Sequence, residues 1–495
     1  MPAKLPIFYS ALLLTAVNLL LRLAGTSFQV YLSARIGAAG IGFLQLIMGV
    51  GGLAMVAGMA GIRTATMYLT AEELGKNKKG NTRWVLSSCY LYSIICSGCI
   101  AALLYFLAPE IAGVWIGDSH AVAPLRLYAA MLPAVCLCGV MTGYFTATSR
   151  IGTLAMIEVA EQLCSMTVTL LTLTFWAGSD AGRACQCILF GSGAGTCMTL
   201  LCLTVLRIRE RDPKTHHIPV ANRLTQTAVP LAAADVLKAG ISTAENLMVP
   251  KRLKKNLSVT EPLAAFGLVS GMVFPVLMFP ACILYALAEL LIPELARCNA
   301  AGSITRIRYL IRRSLKITMI YGLMFGGMMF LLAEPLCFRL YHNADAAYYL
   351  KRYALLIPML YCDAIIDSMT KGLGQQKVCV RYNILTSALD VWFLYILLPK
   401  YGMDGYFTSF LVTHLLNFGL SLHRLIKISK ISIPLYIPLY SATAALVASV
   451  GAVRIQGSVG QCIGYMALFG SLLTILQIIG KEDILWISGL LKAKK

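Results

Sequence analysis

The sequence predicts an all-α polytopic membrane protein with about fourteen transmembrane helices, two parallel six-helix repeats followed by two further C-terminal helices. Three observations carry this expectation. Hydrophobic residues make up 58% of the chain and charged residues 13%, at a mean hydropathy of +0.74; soluble domains carry about 25% charged residues. Apolar runs of roughly 20 residues recur along the whole length. A common offset relates the two halves: Leu125, Tyr128 and Pro133 recur as Leu350, Tyr353 and Pro358, each 225 residues on. The same offset pairs Gly42 with Gly267 and Tyr105–Ala108 with Phe330–Ala333.

The spans follow in order. The first is Leu5–Ser33, too long for a signal sequence, interrupted by Arg22 and followed by no cleavage site. The second, Gly40–Thr70, is rich in glycine, which lets helices approach closely or bend. Trp84–Ala108, Ala123–Thr148, Thr153–Ala177 and Arg183–Val205 complete a first half. A basic linker, Arg207–Arg223, precedes the seventh span, Thr225–Pro250. Pro262–Leu291, Ser314–Ala333, Tyr349–Thr370, Val380–Leu398 and Gly405–Leu425 form the second half, and Ile433–Val453 and Val459–Ile479 lie outside the repeat. The expected domains are therefore residues 1–206, a cytoplasmic linker 207–223, residues 224–427, and 428–495 with a basic tail.

The net charge of +20 is a matter of topology, not of nucleic-acid binding. Basic residues cluster in short loops such as Lys76, Lys78, Lys79 and Arg83, as the positive-inside rule requires. An even span count then puts both termini in the cytoplasm, in agreement with Lys4, Lys492, Lys494 and Lys495. The loop Lys251–Glu261 breaks the rule, with Lys251, Arg252, Lys254 and Lys255 on the outer side. The 16 cysteines fall mostly within apolar runs. Cys96/Cys99, Cys136/Cys138 and Cys185/Cys187 read as small packing residues. No nucleotide motif or metal-ligand cluster is present, so no cofactor is expected.

Function is expected where charge enters the membrane. On the seventh span Asp235, Lys238, Ser242 and Glu245 fall on one face, roughly 80° wide at helical spacing. On the first, Thr15, Asn18, Arg22, Thr26 and Gln29 share a face. Ionisable groups inside a membrane are costly against lipid and belong in a protein interior or a wet cavity. The two stripes are expected to face each other across a central cavity, with Arg22 and Lys238 as substrate-binding cations. Asn18, Gln29, Asp235, Ser242 and Glu245 would complete the lining. Glu245 could partner Arg22 or hold a coupling cation. Asp235 and Lys238, at i,i+3, could instead neutralise each other. Arg63 either joins the cavity or snorkels to the interface. Glu158, Glu161, Glu289, Asp363, Asp367 and His414 are weaker candidates.

Several short stretches, weak singly, occur in an order and spacing that resemble a known family. They are Arg22-Leu-Ala-Gly25, Asn246-Leu-Met-Val-Pro250-Lys-Arg-Leu253, Ile292-Pro293-Glu294-Leu-Ala296, Ile357-Pro358-Met-Leu-Tyr361, Lys371-Gly-Leu-Gly374-Gln-Gln376 and Leu398-Pro-Lys-Tyr401-Gly402. The chain resembles the multidrug/oligosaccharidyl-lipid/polysaccharide (MOP) exporter superfamily, in its polysaccharide-transport branch, beside the stage V sporulation protein B group and the MurJ-type lipid II flippases. The resemblance implies halves arranged in a V and a flippase, not an enzyme. It would carry an undecaprenyl-pyrophosphate-linked saccharide across the cytoplasmic membrane by alternating access, in cell-wall assembly or sporulation. Its partners would be that lipid-linked saccharide and membrane lipids, with Na+ or H+ as the candidate coupling ion. Arg22 matches a cation of the MurJ-type proteins; where they often carry a second arginine and an acid, this chain has Phe28 and Gln29. The competing readings are a cation-coupled multidrug exporter, a membrane glycosyltransferase or glycan ligase, and a non-transporting envelope-assembly scaffold. The first predicts an acidic cavity, and the second a large outer loop with catalytic groups.

Overall fold

The computed structural model describes residues 7–75, 81–148, 150–176, 181–209, 221–256, 261–431, 436–478 and 480. Residues 210–220 of the expected linker, Lys76, Lys78 and Lys79, Lys4, and the basic tail with Lys492, Lys494 and Lys495 lie outside them. Among the described residues the regular structure is helical throughout. The order is α1 (Ile7–Met59), α2 (Ile62–Gly75), α3 (Thr82–Glu110), α4 (Val122–Ala147), α5 (Ile151–Phe175), α6 (Ala181–Ile208) and α7 (Ala221–Leu253). Then come α8 (Pro262–Gly267), α9 (Phe274–Met278), α10 (Ala281–Ala300), α11 (Ile304–Tyr341), α12 (Ala344–Ala354), α13 (Ile357–Gly372), α14 (Gln376–Ser429), α15 (Tyr436–Val453) and α16 (Ser458–Ile475). Wide, π-type turns occupy Ile111–Ile116 and Leu268–Val273.

The chain is a multi-pass membrane protein. Nine stretches among the described residues are long and apolar enough to cross a bilayer, and the pair α12–α13, bent by 56°, makes a tenth. Two of the nine, Leu19–Leu74 with 56 residues and Gln376–Ser429 with 54, are long enough to cross twice. Each breaks at a glycine: Gly37 (φ 72°) and Gly402 (φ 57°) adopt backbone that a side chain disfavours. Within the described residues the expected spans lie largely in helix, the last ending early at Ile475. The second breaks again at Ala60–Gly61, where both residues have positive φ. The eighth is divided into α8, a π turn, α9 and α10, and the tenth into α12 and α13. α7 is not among the apolar stretches, because its polar stripe dilutes the hydropathy. It also extends past Pro250: Lys251 and Arg252 form its last turn, where cations complement the helix carbonyls, instead of starting a loop.

The repeat is written into the backbone. Gly117 and His342, 225 residues apart, are both left-handed helix ends. The next residues, Asp118 and Asn343, are both extended caps whose side chains accept from the backbone N–H of His120 and Ala346. α4 and α13 end at Ala147 and Gly372, and α5 and α14 begin at Ile151 and Gln376, at the same separation. The equivalent glycines Gly42 and Gly267 touch each other where α1 crosses α8. A Cβ added at Gly267 would lie 2.0 Å from the Ala38 oxygen and 2.4 Å from the Gly42 nitrogen. Equivalent positions of the two repeats thus meet within the first unit.

The chain divides into two compact units, residues 1–271 with 391–406, and 272–390 with 407–495. In the first, Ile62, Leu69, Val85, Leu86, Tyr144, Phe145, Leu203 and Leu224 bring α2, α3, α4, α6 and α7 around one core. In the second, Ala444, Ala448, Tyr465 and Phe469 of α15 and α16 pack on Leu323 and Met324 of α11, and the Tyr465 hydroxyl donates to the Leu323 oxygen at 2.9 Å.

Candidate transport site

Both polar stripes lie in the first unit. Before its break, α1 rests on α5 and α6 through Leu32, Leu173, Ala184 and Cys187, and a Cβ at Gly25 would lie 3.9 Å from Gln162 Nε2. Beyond the break, α1 packs on α7: the Thr243 hydroxyl donates to the Gly49 oxygen at 3.0 Å. The two segments of α1 thus brace different neighbours, and Gly37 is what lets one helix do both.

Arg22 is exposed on the first segment of α1. Asn18 lies one turn earlier, in helix, its side chain outside the described residues. Gln29 is brought to a specific partner: its amide donates to the Gly271 oxygen at 3.1 Å, in the π turn Leu268–Val273. A π turn departs from the i→i−4 bonding pattern, and Gln29 supplies a donor there. On α7, Leu224, Ala228, Thr243, Val249 and Leu253 are buried while Asp235, Lys238 and Ser242 are exposed, so the polar stripe is the face turned away from the packing. Asp235 and Lys238 are both exposed and make no ion pair with each other among the described residues. Glu245 is half-buried at the lower end of the stripe. Arg63 is exposed on α2, within electrostatic range of Glu158 on α5.

Next to the stripe is an apolar cleft of about 400 Å³, lined by Val50 and Leu53 of α1, Leu103 and Leu107 of α3, and Val236 of α7, with Glu110 at its edge. Val236 follows Asp235 directly. Exposed charge and an apolar groove therefore adjoin on one helix, an arrangement suited to an amphiphile with a charged head.

Other polar groups are organised separately. Glu161 accepts hydrogen bonds from Thr199 at 2.8 Å and Thr196 at 3.2 Å, joining α5 to α6. In the second unit, Asn417 donates to Asp363 at 3.0 Å, and Asp390 accepts from Ser409 at 2.6 Å and Thr413 at 3.2 Å. His414 lies flat on Phe410, ring centroids 3.8 Å apart. Asp367 pairs with Lys371 at 2.5 Å. Sequence reasoning passed over Asp390, although a lone carboxylate inside the run Val380–Leu398 was a sufficient signal. It also passed over Arg223, which bridges Glu72 at 2.5 Å and Glu73 at 3.0 Å and ties the start of α7 to the end of α2.

Fold and sequence agree on the class. The polysaccharide biosynthesis protein family model matches residues 8–225, and the MatE family model matches residues 230–396. The two matches together span most of the chain and support a resemblance to the MOP exporter superfamily, to which a structural neighbour described below is assigned. Among individual proteins it is similar to stage V sporulation protein B of Bacillus subtilis (strain 168), 21% identical over 81% of this chain and 80% of that one. Its fold matches that of the lipid II flippase MurJ in an inward closed conformation, with TM-score 0.73, 14% identity, and 94% and 98% of the two chains covered. It also matches an inward-facing multidrug resistance MATE family transporter, with TM-score 0.66, 12% identity, and 84% and 99% covered.

Proposed function

We propose that this protein is a flippase that moves an undecaprenyl-pyrophosphate-linked saccharide across the cytoplasmic membrane by alternating access, with both termini in the cytoplasm. The observation that carries the proposal is the exposed polar face of α7, on which Lys238 makes no ion pair with Asp235 among the described residues, beside an apolar cleft, in a fold similar to that of a lipid II flippase. An anionic pyrophosphate needs fixed cations, the glycan needs water, and the polyprenyl tail needs an apolar groove. Arg22 suits the pyrophosphate, because a guanidinium can bind two oxygens at once. Lys238 adds a point charge. The stripe residues Asn18, Gln29, Asp235, Ser242 and Glu245, with Arg63 of α2, are assigned to the same pathway. Energy would come from a Na+ or H+ gradient acting on intramembrane carboxylates such as Asp363 and Asp390.

The test is reconstitution into liposomes with a fluorescent polyprenyl-pyrophosphate disaccharide, scoring its exchange between leaflets. Exchange above protein-free vesicles is expected. A second reading, export of hydrophobic cations, is favoured by the MatE match over residues 230–396. It predicts uptake of a fluorescent cation in the same vesicles and no exchange of the lipid. Arg22 and Lys238 weigh against it.

A further inference from the structure

Two motifs that the transport site leaves unused meet in the first unit. Asn246–Leu253 closes α7, and Leu398–Gly402 contains the break of α14. Asn256, just past α7, donates to the Pro399 oxygen at 3.2 Å. The Arg252 guanidinium lies over the Tyr395 ring, 3.3 Å from its centroid. These contacts gather Lys254, Lys255 and Lys400 on one surface, all three exposed, with exposed Tyr401 beside them. None of the three lysines has a carboxylate partner among the described residues. The acids nearest in sequence, Glu261 and Asp404, are exposed as well.

The other repeat supplies an internal control. At 225 residues' separation, Lys400 and Tyr401 correspond to Phe175 and Trp176, both exposed at the end of α5. The same connection thus carries two aromatic residues in one repeat and Lys-Tyr in the other. The fold does not require the lysine. Topology does not account for the cluster either, since the alternation of spans expects this end outside, where basic residues are disfavoured. Like charges held together without counter-charges repel one another and build a positive potential that draws polyanions.

We infer that this surface docks a flexible acidic segment of a partner protein. The chemistry of the cations decides the class of ligand. Phosphate groups favour the forked guanidinium of arginine, and the one arginine here is committed to the Tyr395 ring. The three free cations are lysines, point charges on flexible stems that make no demand on geometry. They suit carboxylates spaced along a mobile chain, which supply complementary charge without a fixed shape. Tyrosine and arginine are the residue types enriched where protein interfaces gain most of their energy, and Tyr401 with the Arg252–Tyr395 stack places them among the lysines. The inference does not depend on which substrate the protein moves.

Fluorescence anisotropy of a fluorescein-labelled Glu/Gly peptide, titrated with the full chain in uncharged detergent, tests it. The wild-type protein should bind that peptide, more weakly as salt is raised, and should not bind a Ser/Gly peptide. The triple variant Lys254→Gln/Lys255→Gln/Lys400→Gln should weaken binding by at least about tenfold. Lys377→Gln/Arg381→Gln/Lys427→Gln removes equal charge from exposed cations elsewhere and should leave binding unchanged. Lys400→Phe, which copies the other repeat, should fold as the wild type does and bind less tightly. Equal affinity in the first triple variant and the wild type, or an equal loss in the second, would overturn the assignment. So would tighter binding of labelled polygalacturonate, an acidic glycan, or displacement of the peptide by phosphatidylglycerol, since each names a different occupant.

Discussion

At the scale of single residues, two kinds of position stand out: cations the membrane does not need, and glycines the packing cannot do without. A charge in mid-membrane costs about 2.5–3.5 kcal/mol on insertion scales, a cost that a wall helix avoids with an apolar residue. Arg22→Ala is therefore expected to abolish flipping in the liposome assay with little loss of folded protein, and Arg22→Lys to keep partial activity, since it retains charge without the fork. Full transport by Arg22→Ala would end the assignment of Arg22 to the pyrophosphate. Gly267 belongs to the other kind. The atoms its Cβ would strike, the Ala38 oxygen and the Gly42 nitrogen, are backbone and cannot swing aside. Gly267→Ala should destabilise the protein by about 1–3 kcal/mol or more as overpacking, seen as a lower midpoint of thermal unfolding in detergent. Gly240, beside which nothing lies within 4 Å of an added Cβ, is the control: Gly240→Ala should leave that midpoint unchanged or raised.

At the scale of elements, the start of α7 is held by charge. Glu73 is buried, with 5% of its side chain exposed, and receives both the Arg223 guanidinium and the Asn81 amide, the latter at 2.8 Å. Arg223→Ala would take one cation away from that buried carboxylate. Removing one partner of a fully buried pair costs about 3–5 kcal/mol; Arg223 is itself one-third exposed, so about half of that is expected. Chemical denaturation of the purified variant checks it, and no loss of stability would show the clasp to be incidental. This element also marks how far the sequence could be read. The helices were legible because lipid demands long apolar runs, and the repeat because Tyr128, Pro133 and their counterparts keep one separation. The breaks were not legible: Gly37, Ala60–Gly61 and the division of the eighth span interrupt no apolar pattern. Of the candidate site, the polar face of α7 could be read from helical spacing alone. Partners distant in the chain could not, since nothing local to Gln29 names Gly271 and nothing local to Arg223 names Glu73.

At the scale of the whole molecule, one contact makes orientation testable. Lys251, in the last turn of α7, donates to the carbonyl of Val114 in the turn that follows α3. Arg252 lies over the Tyr395 ring, 3.3 Å from its centroid, and Asn256 donates to the Pro399 oxygen at 3.2 Å. The basic end of α7 is thus docked on the same membrane face as the α3–α4 connection with Ser119. The clasp of Glu72, Glu73 and Arg223 holds the opposite end of α7. On charge alone the basic cluster would belong in the cytoplasm; the alternation of spans places it outside. The docking agrees with the alternation, because these cations have contacts of their own beyond the loop they were expected to form. On a cysteine-depleted background, Ser119→Cys and Lys254→Cys should both react with a membrane-impermeant maleimide added to intact cells. Glu72→Cys, at the far end, should react only after the membrane is opened. Labelling of Lys254→Cys from the cytoplasmic side alone would reverse the orientation, and opposite behaviour of the Ser119 and Lys254 positions would contradict the docking itself.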